Sequence, residues 1–197
     1  MRITGGTLVG RRLEGPPGPG TRATADRVRE GLFNILVHHA WPEDIGDPLT
    51  DARVLDAFCG TGALACEALS RGAASAILFD KAKTPLNIAG RNLLALGLAD
   101  RATALQIDAT RPPVATSGRN APWTPCTLIF LDPPYRKNLV APALESLAAH
   151  GWIAPHALAV VETAKTEDVT LPLGWTVLDE RRYGDTRVTF AGRADEG

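Results

Sequence analysis

The sequence predicts an α/β fold in which helices wind around both sides of a mostly parallel sheet. Beyond residue 51, short apolar runs alternate with segments of helical periodicity, the order expected of repeated strand–helix units. A glycine-rich turn joins the first of these runs to a helical segment, as in ligand-binding loops. Acidic residues follow the apolar runs, and open parallel sheets bind ligands beyond the carboxyl ends of their strands.

Size and composition limit the classes of protein to which the chain can belong. The chain has 197 residues and a formal net charge of −1, which fits one domain without a strongly basic surface. Its three cysteines form no Cys-x-x-Cys pair, so we expect neither disulfides nor a metal site. No apolar run approaches the length that a bilayer needs and the first residues lack an apolar signal core, so we expect a cytoplasmic protein with no membrane contact.

Residues 1–50 are predicted to form an extension that packs on a core at residues 51–197, the two making effectively one domain. Alternating residues at 2–14 indicate a small β-hairpin, and helical periodicity begins at Thr24, a favoured N-cap residue. Arginines are concentrated in the first thirty residues. They either form a local basic face that could meet phosphates or are ordinary solvated side chains. The candidate phosphate ligands among them are Arg22, Arg27 and Arg29.

The core is predicted to contain five strands, three helices and a terminal hairpin. The strands are expected at residues 53–58, 74–79, 102–107, 127–131 and 158–161. The helices are expected at residues 63–71, 85–96 and 139–149. The hairpin pairs residues 175–178 with 188–190 through a turn at 183–185. A second basic group lies in this hairpin, at Arg181, Arg182 and Arg187.

The first strand–helix junction, Val54-Leu55-Asp56-Ala57-Phe58-Cys59-Gly60-Thr61-Gly62, indicates a nucleotide-type binding loop. Its glycines let the backbone approach a ligand, and N–H groups at the start of the next helix favour a carboxylate. The candidate cofactor ligands in this loop are Asp56, Phe58, Gly60 and Gly62.

Two further acids extend this cofactor site. Asp80 ends the second strand, where an acid can accept hydrogen bonds from both ribose hydroxyls. Asp108 ends the third strand and either accepts a hydrogen bond from an adenine amino group or closes an Asx turn. Glu162 follows the fifth strand, and its role stays open between orienting a neighbour, facing the substrate and capping a loop.

The segment Asp132-Pro133-Pro134-Tyr135, directly after the fourth apolar run, indicates a clamp for an exocyclic amine. The prolines fix the backbone and remove two donors, so the carbonyls and the Asp132 carboxylate can point at the amine as acceptors. Tyr135 is predicted to stack on the ring that carries the amine. All four residues are therefore candidate catalytic residues, although an ordinary Asp-Pro turn is the alternative.

The combination of glycine loop and amine clamp favours S-adenosylmethionine as the cofactor. Gly60-x-Gly62-x-x-Ala65 also satisfies the loose dinucleotide fingerprint, so an NAD-dependent oxidoreductase is one alternative. Three features of the sequence argue against an oxidoreductase. Asp56 precedes the glycines, the amine clamp lies at a later strand end, and the pattern shows no second domain. We therefore expect a Rossmann-like, class I S-adenosylmethionine-dependent methyltransferase fold.

These residues together resemble the RsmD-type family, bacterial methyltransferases that modify the exocyclic N2 of a guanine in 16S ribosomal RNA. The resemblance spans almost the whole chain. Besides the two motifs above it rests on Arg2-Ile3-Thr4-Gly5-Gly6, Asp26-Arg27-Val28-Arg29-Glu30, Leu32-Phe33-Asn34, Glu67-Ala68-Leu69-Ser70-Arg71-Gly72-Ala73 and Tyr183-Gly184-Asp185-Thr186. It implies methyl transfer to a guanine N2 in 16S ribosomal RNA, free or within an assembling small subunit; a monomer is the default expectation.

The chain departs from the family pattern at Ala23, Ala25, Gly31 and Thr127. Gly31 is expected to weaken its helix by about 1 kcal/mol relative to alanine. The amine clamp is also shared with adenine-N6 methyltransferases. An adenine-N6 or other amine methyltransferase and a noncatalytic RNA-binding factor are therefore further alternatives.

Overall fold

A seven-stranded sheet with the strand order β3-β2-β1-β4-β5-β7-β6 organises the chain. This computed structural model describes residues 1–15, 22–115 and 125–194, with the side chains of residues 22–25 left out. The strands are β1 (Arg53–Asp56), β2 (Ser75–Asp80), β3 (Ala102–Gln106), β4 (Cys126–Leu131), β5 (Ile153–Ala164), β6 (Trp175–Tyr183) and β7 (Thr186–Arg193). The first five are parallel, and β7 runs antiparallel between β5 and β6.

Four α-helices cover the two faces of this sheet. They are α1 (Arg22–His38), α2 (Ala63–Ser70), α3 (Lys83–Leu96) and α4 (Val140–Ala149). Successive side chains of a strand point to opposite faces, so Phe130 packs with residues of α1, α2 and α3, whereas Ile129 packs with residues of α4. The Phe33 ring on α1 lies 5.7 Å from the Phe130 ring. The N-terminal helix thus belongs to the same core as the central strand.

The predicted strands, helices and terminal hairpin are confirmed, with ends that differ by a few residues. The largest difference is in β5, which runs for 12 residues. Glu162 therefore lies inside this strand, opposite Val188 of β7, so its expected place at a strand end is wrong. The strand is longer because β7 pairs with it as far as Ala164.

The N-terminal segment differs from the predicted hairpin. Three backbone hydrogen bonds pair residues 1–3 with residues 10–13 around an antiparallel bridge between Arg2 and Arg12, so the hairpin is shorter than predicted, and a 3-10 turn at Gly6–Leu8 lies between its two arms. Gly6 has φ +76, and a Cβ there would lie 1.9 Å from the Ser70 carbonyl oxygen. Close packing against the end of α2 shapes this segment, which local alternation does not reveal.

A buried ion cluster, defined as Thr4, Arg29, Glu67 and Arg71, fastens this segment to α2. The Glu67 carboxylate is 0% exposed. It accepts hydrogen bonds from the Thr4 N–H at 2.9 Å, the Thr4 hydroxyl at 2.7 Å, Arg29 Nε at 3.3 Å and Arg71 Nε at 2.9 Å. Arg29 also donates to the Arg2 carbonyl. A buried charge is tolerated when it is paired and hydrogen-bonded in this way.

Gly31 on α1 makes room for an aromatic ring from the terminal hairpin. A Cβ at this position would lie 2.6 Å from Cε1 of Tyr183, the last residue of β6. The low helix propensity of glycine is thus linked to a tertiary contact that joins α1 to the hairpin.

No helix within the described ranges combines the length and apolarity needed to cross a membrane.

Candidate active site

Two cavities that share part of their walls open at the carboxyl edge of the parallel strands. The larger has a volume of about 510 Å³ and extends from the glycine loop past the ends of β2, β3 and β4. The smaller, of about 260 Å³, lies between the glycine loop, the start of α2 and α1. The residues that line both are Phe58, Gly60, Asp132 and Glu162. The junction of the cavities therefore carries two carboxyl groups.

The glycine loop turns sharply between β1 and α2. Gly60 has φ +50 with open space around the position of a Cβ, and it lines both cavities. Gly62 is buried with φ +75, and a Cβ there would lie 2.8 Å from Leu78 Cδ2. Gly60 thus offers its backbone to a ligand, whereas Gly62 is required by the packing of the turn.

Asp56 presents a buried carboxylate to the smaller cavity. Its Oδ2 accepts a hydrogen bond from the Ala65 N–H at 3.3 Å, whereas no described residue donates one to Oδ1. Burial raises the pKa of Asp56 to about 7, and the charges of Asp132 and Asp80 add to this effect. A cationic donor bound in the cavity would satisfy the carboxylate, which suits the ammonium group of a methionine moiety.

Asp80 and Asp108 line the larger cavity, and each carboxylate already accepts hydrogen bonds from nearby residues. Asp80 accepts from the Gly60 N–H at 3.0 Å and the Ala82 N–H at 2.7 Å, so it fixes the glycine loop. Asp108 Oδ1 accepts from the N–H and the hydroxyl of Thr110, which lowers its pKa. The structure therefore shows the Asx turn that was one of the two alternatives for Asp108, at a position that still borders the cavity.

All four residues of the amine clamp, Asp132 to Tyr135, line the larger cavity directly after β4. The next turn contains Arg136 with φ 60 and Asn138 with φ 50, a left-handed conformation that is costly for residues other than glycine. The Arg136 N–H donates to Glu167 Oε2 at 3.0 Å. This contact stabilises the turn that follows the clamp, and Leu139 just beyond it lines the larger cavity again.

Glu162 lies beside the amine clamp, on the neighbouring strand β5. The Tyr135 hydroxyl lies within hydrogen-bonding reach of Glu162 and of Thr186 in the terminal hairpin. Asp132 is open to solvent through the cavity but is otherwise surrounded by protein, and this enclosure raises its pKa. Burial and the nearby charge of Asp132 raise the pKa of Glu162 as well. The two groups therefore titrate as a pair that resists carrying two negative charges.

The predicted phosphate ligands do not share one environment. Arg27 is exposed on α1, and the side chain of Arg22 lies outside the described residues. The prediction for Arg29 is wrong, because its side chain is only 4% exposed and is engaged by Glu67, Asp26 and the Arg2 carbonyl. In the hairpin, Arg181 pairs with Asp179 at 2.9 Å and Arg182 with Glu180 at 3.4 Å.

Some cavity residues were missed by sequence reasoning. Met1, Val28 and Leu139 line the cavities, and Thr186 approaches Tyr135. The first three carry no reactive group, so residue type gives no signal for them. Thr186 stands in a segment that the family resemblance included, and that was the available signal.

Comparisons with known proteins agree with this arrangement. A family model described as "Conserved hypothetical protein 95" matches residues 1–192. Ribosomal RNA small subunit methyltransferase D of Escherichia coli (strain K12) is 35% identical over 198 residues, covering 100% of this chain and 92% of that protein. A solved Escherichia coli structure described as the methyltransferase yhhF matches with a TM-score of 0.78 and 33% identity over 98% of both chains.

A more distant match concerns the fold alone. An RNA methyltransferase from Salinibacter ruber, solved in complex with S-adenosyl-L-homocysteine, has a TM-score of 0.59 at 15% identity, over 91% of this chain and 96% of that one. The fold is therefore that of class I S-adenosylmethionine-dependent methyltransferases.

Proposed function

From the premise that the chain belongs to the RsmD family of S-adenosylmethionine-dependent ribosomal RNA methyltransferases, we propose that it methylates the exocyclic N2 of a guanine in 16S ribosomal RNA. The observation that carries this proposal is that the amine clamp lines the larger cavity and that its Asp132 lies at the junction with the smaller one. A flat base can enter beside Tyr135 while its amine meets Asp132. We place the enzyme in the cytoplasm as a monomer.

The residues of the two cavities suit the parts of the cofactor. In this proposal Asp56 receives the ammonium group, while Phe58, Gly60 and the N-terminus of α2 receive the rest of the methionine moiety. Asp80 receives the ribose hydroxyls, and Asp108 borders the adenine. When bound, the cofactor supplies a sulfonium methyl carbon open to in-line attack and a sulfur that leaves with the bonding electron pair.

The clamp prepares the amine for this attack. The Asp132 carboxylate and the Pro133 carbonyl accept hydrogen bonds from the two amine hydrogens, which directs the nitrogen at the methyl carbon. Positive charge develops on nitrogen as the nitrogen–carbon bond forms, and Asp132 stabilises it. The carboxylate of Asp132 then accepts the proton that the nitrogen loses, a task helped by its raised pKa. Tyr135 holds the ring in plane.

The target guanine must be unpaired or flipped out, because an amine inside a duplex cannot reach the clamp. We propose that Arg27, exposed on α1, and Arg22 contact the phosphates around it. Arg29 is not included, since it is buried in the ion cluster.

The test is transfer of radiolabelled methyl from S-adenosylmethionine to small-subunit RNA from a strain that lacks the gene, followed by nucleoside mass analysis. Naked RNA and assembled particles are assayed in parallel to distinguish the two forms of substrate. N2-methylguanosine is the expected product. N6-methyladenosine would preserve the clamp and overturn the choice of base, whereas no transfer to either form would overturn the proposed substrate.

A further inference from the structure

We propose that Glu162 selects guanine by accepting a hydrogen bond from its N1–H while Asp132 accepts one from the N2 amine. This inference rests on the proposed function and deepens it. It assigns a role in base selection to a residue that lies outside both sequence motifs.

The strand register places the two carboxylates side by side. In the parallel pair β4 and β5, Phe130 lies opposite Val160 and Leu131 opposite Val161. One step further along this register brings Asp132 next to Glu162. Neighbouring strands are about 4.8 Å apart, and side chains at matching positions point to the same face. Both residues line both cavities, so the two carboxylates face the same space.

Two adjacent acceptors match the edge of guanine. Guanine presents N1–H and the N2 amine as neighbouring donors, whereas adenine presents the N6 amine beside N1, which is an acceptor. Asp132 and the proline carbonyls can accept from the amine of either base. A carboxylate at position 162 would face a lone pair of adenine N1, and this mismatch is costly in an enclosed site. Glu162 thus supplies the discrimination that the clamp lacks.

Two further observations support an accepting Glu162. Glu162 is paired with Val188 of β7, and the Tyr135 hydroxyl lies within hydrogen-bonding reach of its carboxylate and of Thr186. Enclosure beside Asp132 raises the pKa of Glu162 in the free protein, but a sulfonium cation near the pair favours the ionised form. The accepting form is therefore favoured when the methyl donor is bound.

The test compares two RNAs that carry either guanine or 2-aminopurine at the methylated position. 2-Aminopurine keeps the N2 amine, but its N1 is an acceptor. Wild type is expected to favour guanine in kcat/KM by roughly tenfold to a hundredfold, the cost of a mismatched hydrogen bond to a charged group. Glu162→Gln offers an amide N–H to N1, so we expect it to reduce this preference at least tenfold.

Three controls separate base reading from a structural effect. Glu145→Gln makes the same chemical change on the exposed side of α4 and is expected to keep the wild-type preference. Glu162→Asp retains a carboxylate and is expected to keep the preference for guanine. Calorimetry of S-adenosylhomocysteine binding shows whether Glu162→Gln is folded. Binding of both RNAs, measured by competition with 2-aminopurine fluorescence, gives the selectivity between the two bases without turnover.

The outcomes are distinct. A reduced or inverted preference in Glu162→Gln, with the preference kept in Glu162→Asp, supports the inference. Equal losses on both RNAs, or an unchanged preference, overturn it while leaving N2 methylation by the wild type intact. If the wild type forms N6-methyladenosine or methylates neither RNA, both the proposed function and the role of Glu162 fail.

Discussion

Two sets of charged groups in this protein differ in how many hydrogen bonds and ion pairs their members make. In the buried ion cluster, Glu67 accepts hydrogen bonds from four donor groups and lies between Arg29 and Arg71. In the acidic trio, defined as Asp56, Asp132 and Glu162, burial raises the pKa of each carboxyl group, and the charge of Asp132 raises the pKa of Asp56 and Glu162 further. Oδ1 of Asp56 has no hydrogen-bond partner within the described part of the chain.

The difference separates a charge cluster that holds the fold together from one that, in the proposed function, faces a ligand. Paired buried charges stabilise the fold mainly in the sense that removal of one partner is costly. Unpaired carboxyl groups destabilise the empty protein, and a cationic or hydrogen-bond-donating ligand recovers that cost on binding. Substitutions in the ion cluster should therefore lower stability, whereas those in the acidic trio should lower binding or catalysis.

The largest expected effect is the loss of stability on Glu67→Gln. The substitution leaves two arginines beside a neutral side chain, so we expect the free energy of unfolding to fall by about 3–5 kcal/mol. Urea denaturation measures it, with the exposed Glu145→Gln as the matched control. A change as small as that of the control would show that the cluster does not hold the N-terminal segment.

In the acidic trio, Asp132→Asn should act on catalysis instead. The amide weakens acceptance from the amine and removes the proton acceptor, so we expect methyl transfer to slow by about 100- to 1000-fold. Affinity for S-adenosylhomocysteine should stay close to wild type, and the urea midpoint should not fall. Asp100→Asn, an exposed carboxylate, is the control. Turnover at the wild-type rate would remove Asp132 from the clamp.

Asp56→Asn should remove a pH dependence of stability. Burial raises the pKa of Asp56 in the folded state to about 7 from its ordinary value of 3.8, so the folded state binds more protons than the unfolded state between these values. The contribution of Asp56 to the free energy of unfolding is thus fully present at low pH and is lost as the pH rises to about 7. Above pH 7 we expect the variant without cofactor to be more stable than wild type by on the order of 2 kcal/mol.

Urea denaturation from pH 4 to pH 8 checks this expectation, and calorimetry should show weaker S-adenosylhomocysteine binding by the same variant. Equal pH dependence of the two proteins would mean that Asp56 is ionised throughout.

The smallest expected effect separates two neighbouring arginines of α1. Arg27→Ala should lower RNA affinity a few-fold and reduce the slope of log affinity against log salt concentration by about 1. Arg29→Ala should leave that slope unchanged and lower stability, since Arg29 belongs to the ion cluster. Binding at several salt concentrations measures both. An altered slope for Arg29→Ala alone would reverse the assignment.

Sequence reasoning was strongest where a local pattern has a local cause. Alternation of apolar runs and helical periods gave the core elements, and the glycine and proline motifs gave two of the cavity walls. Their roles in binding and catalysis stay predictions. Arg29 shows the limit, because its burial depends on Glu67, which is 38 residues away along the chain. Glu162 shows it again, since the length of β5 depends on its pairing with β7.

The contact between Gly31 and Tyr183 has a consequence for protein engineering. Helix propensity alone would make Gly31→Ala stabilising. Here an alanine Cβ would lie 2.6 Å from the tyrosine ring, so the ring must move first. Gly31→Ala is therefore expected to displace the Tyr183 ring and to loosen the contact between α1 and the hairpin, whose Thr186 lies near Tyr135.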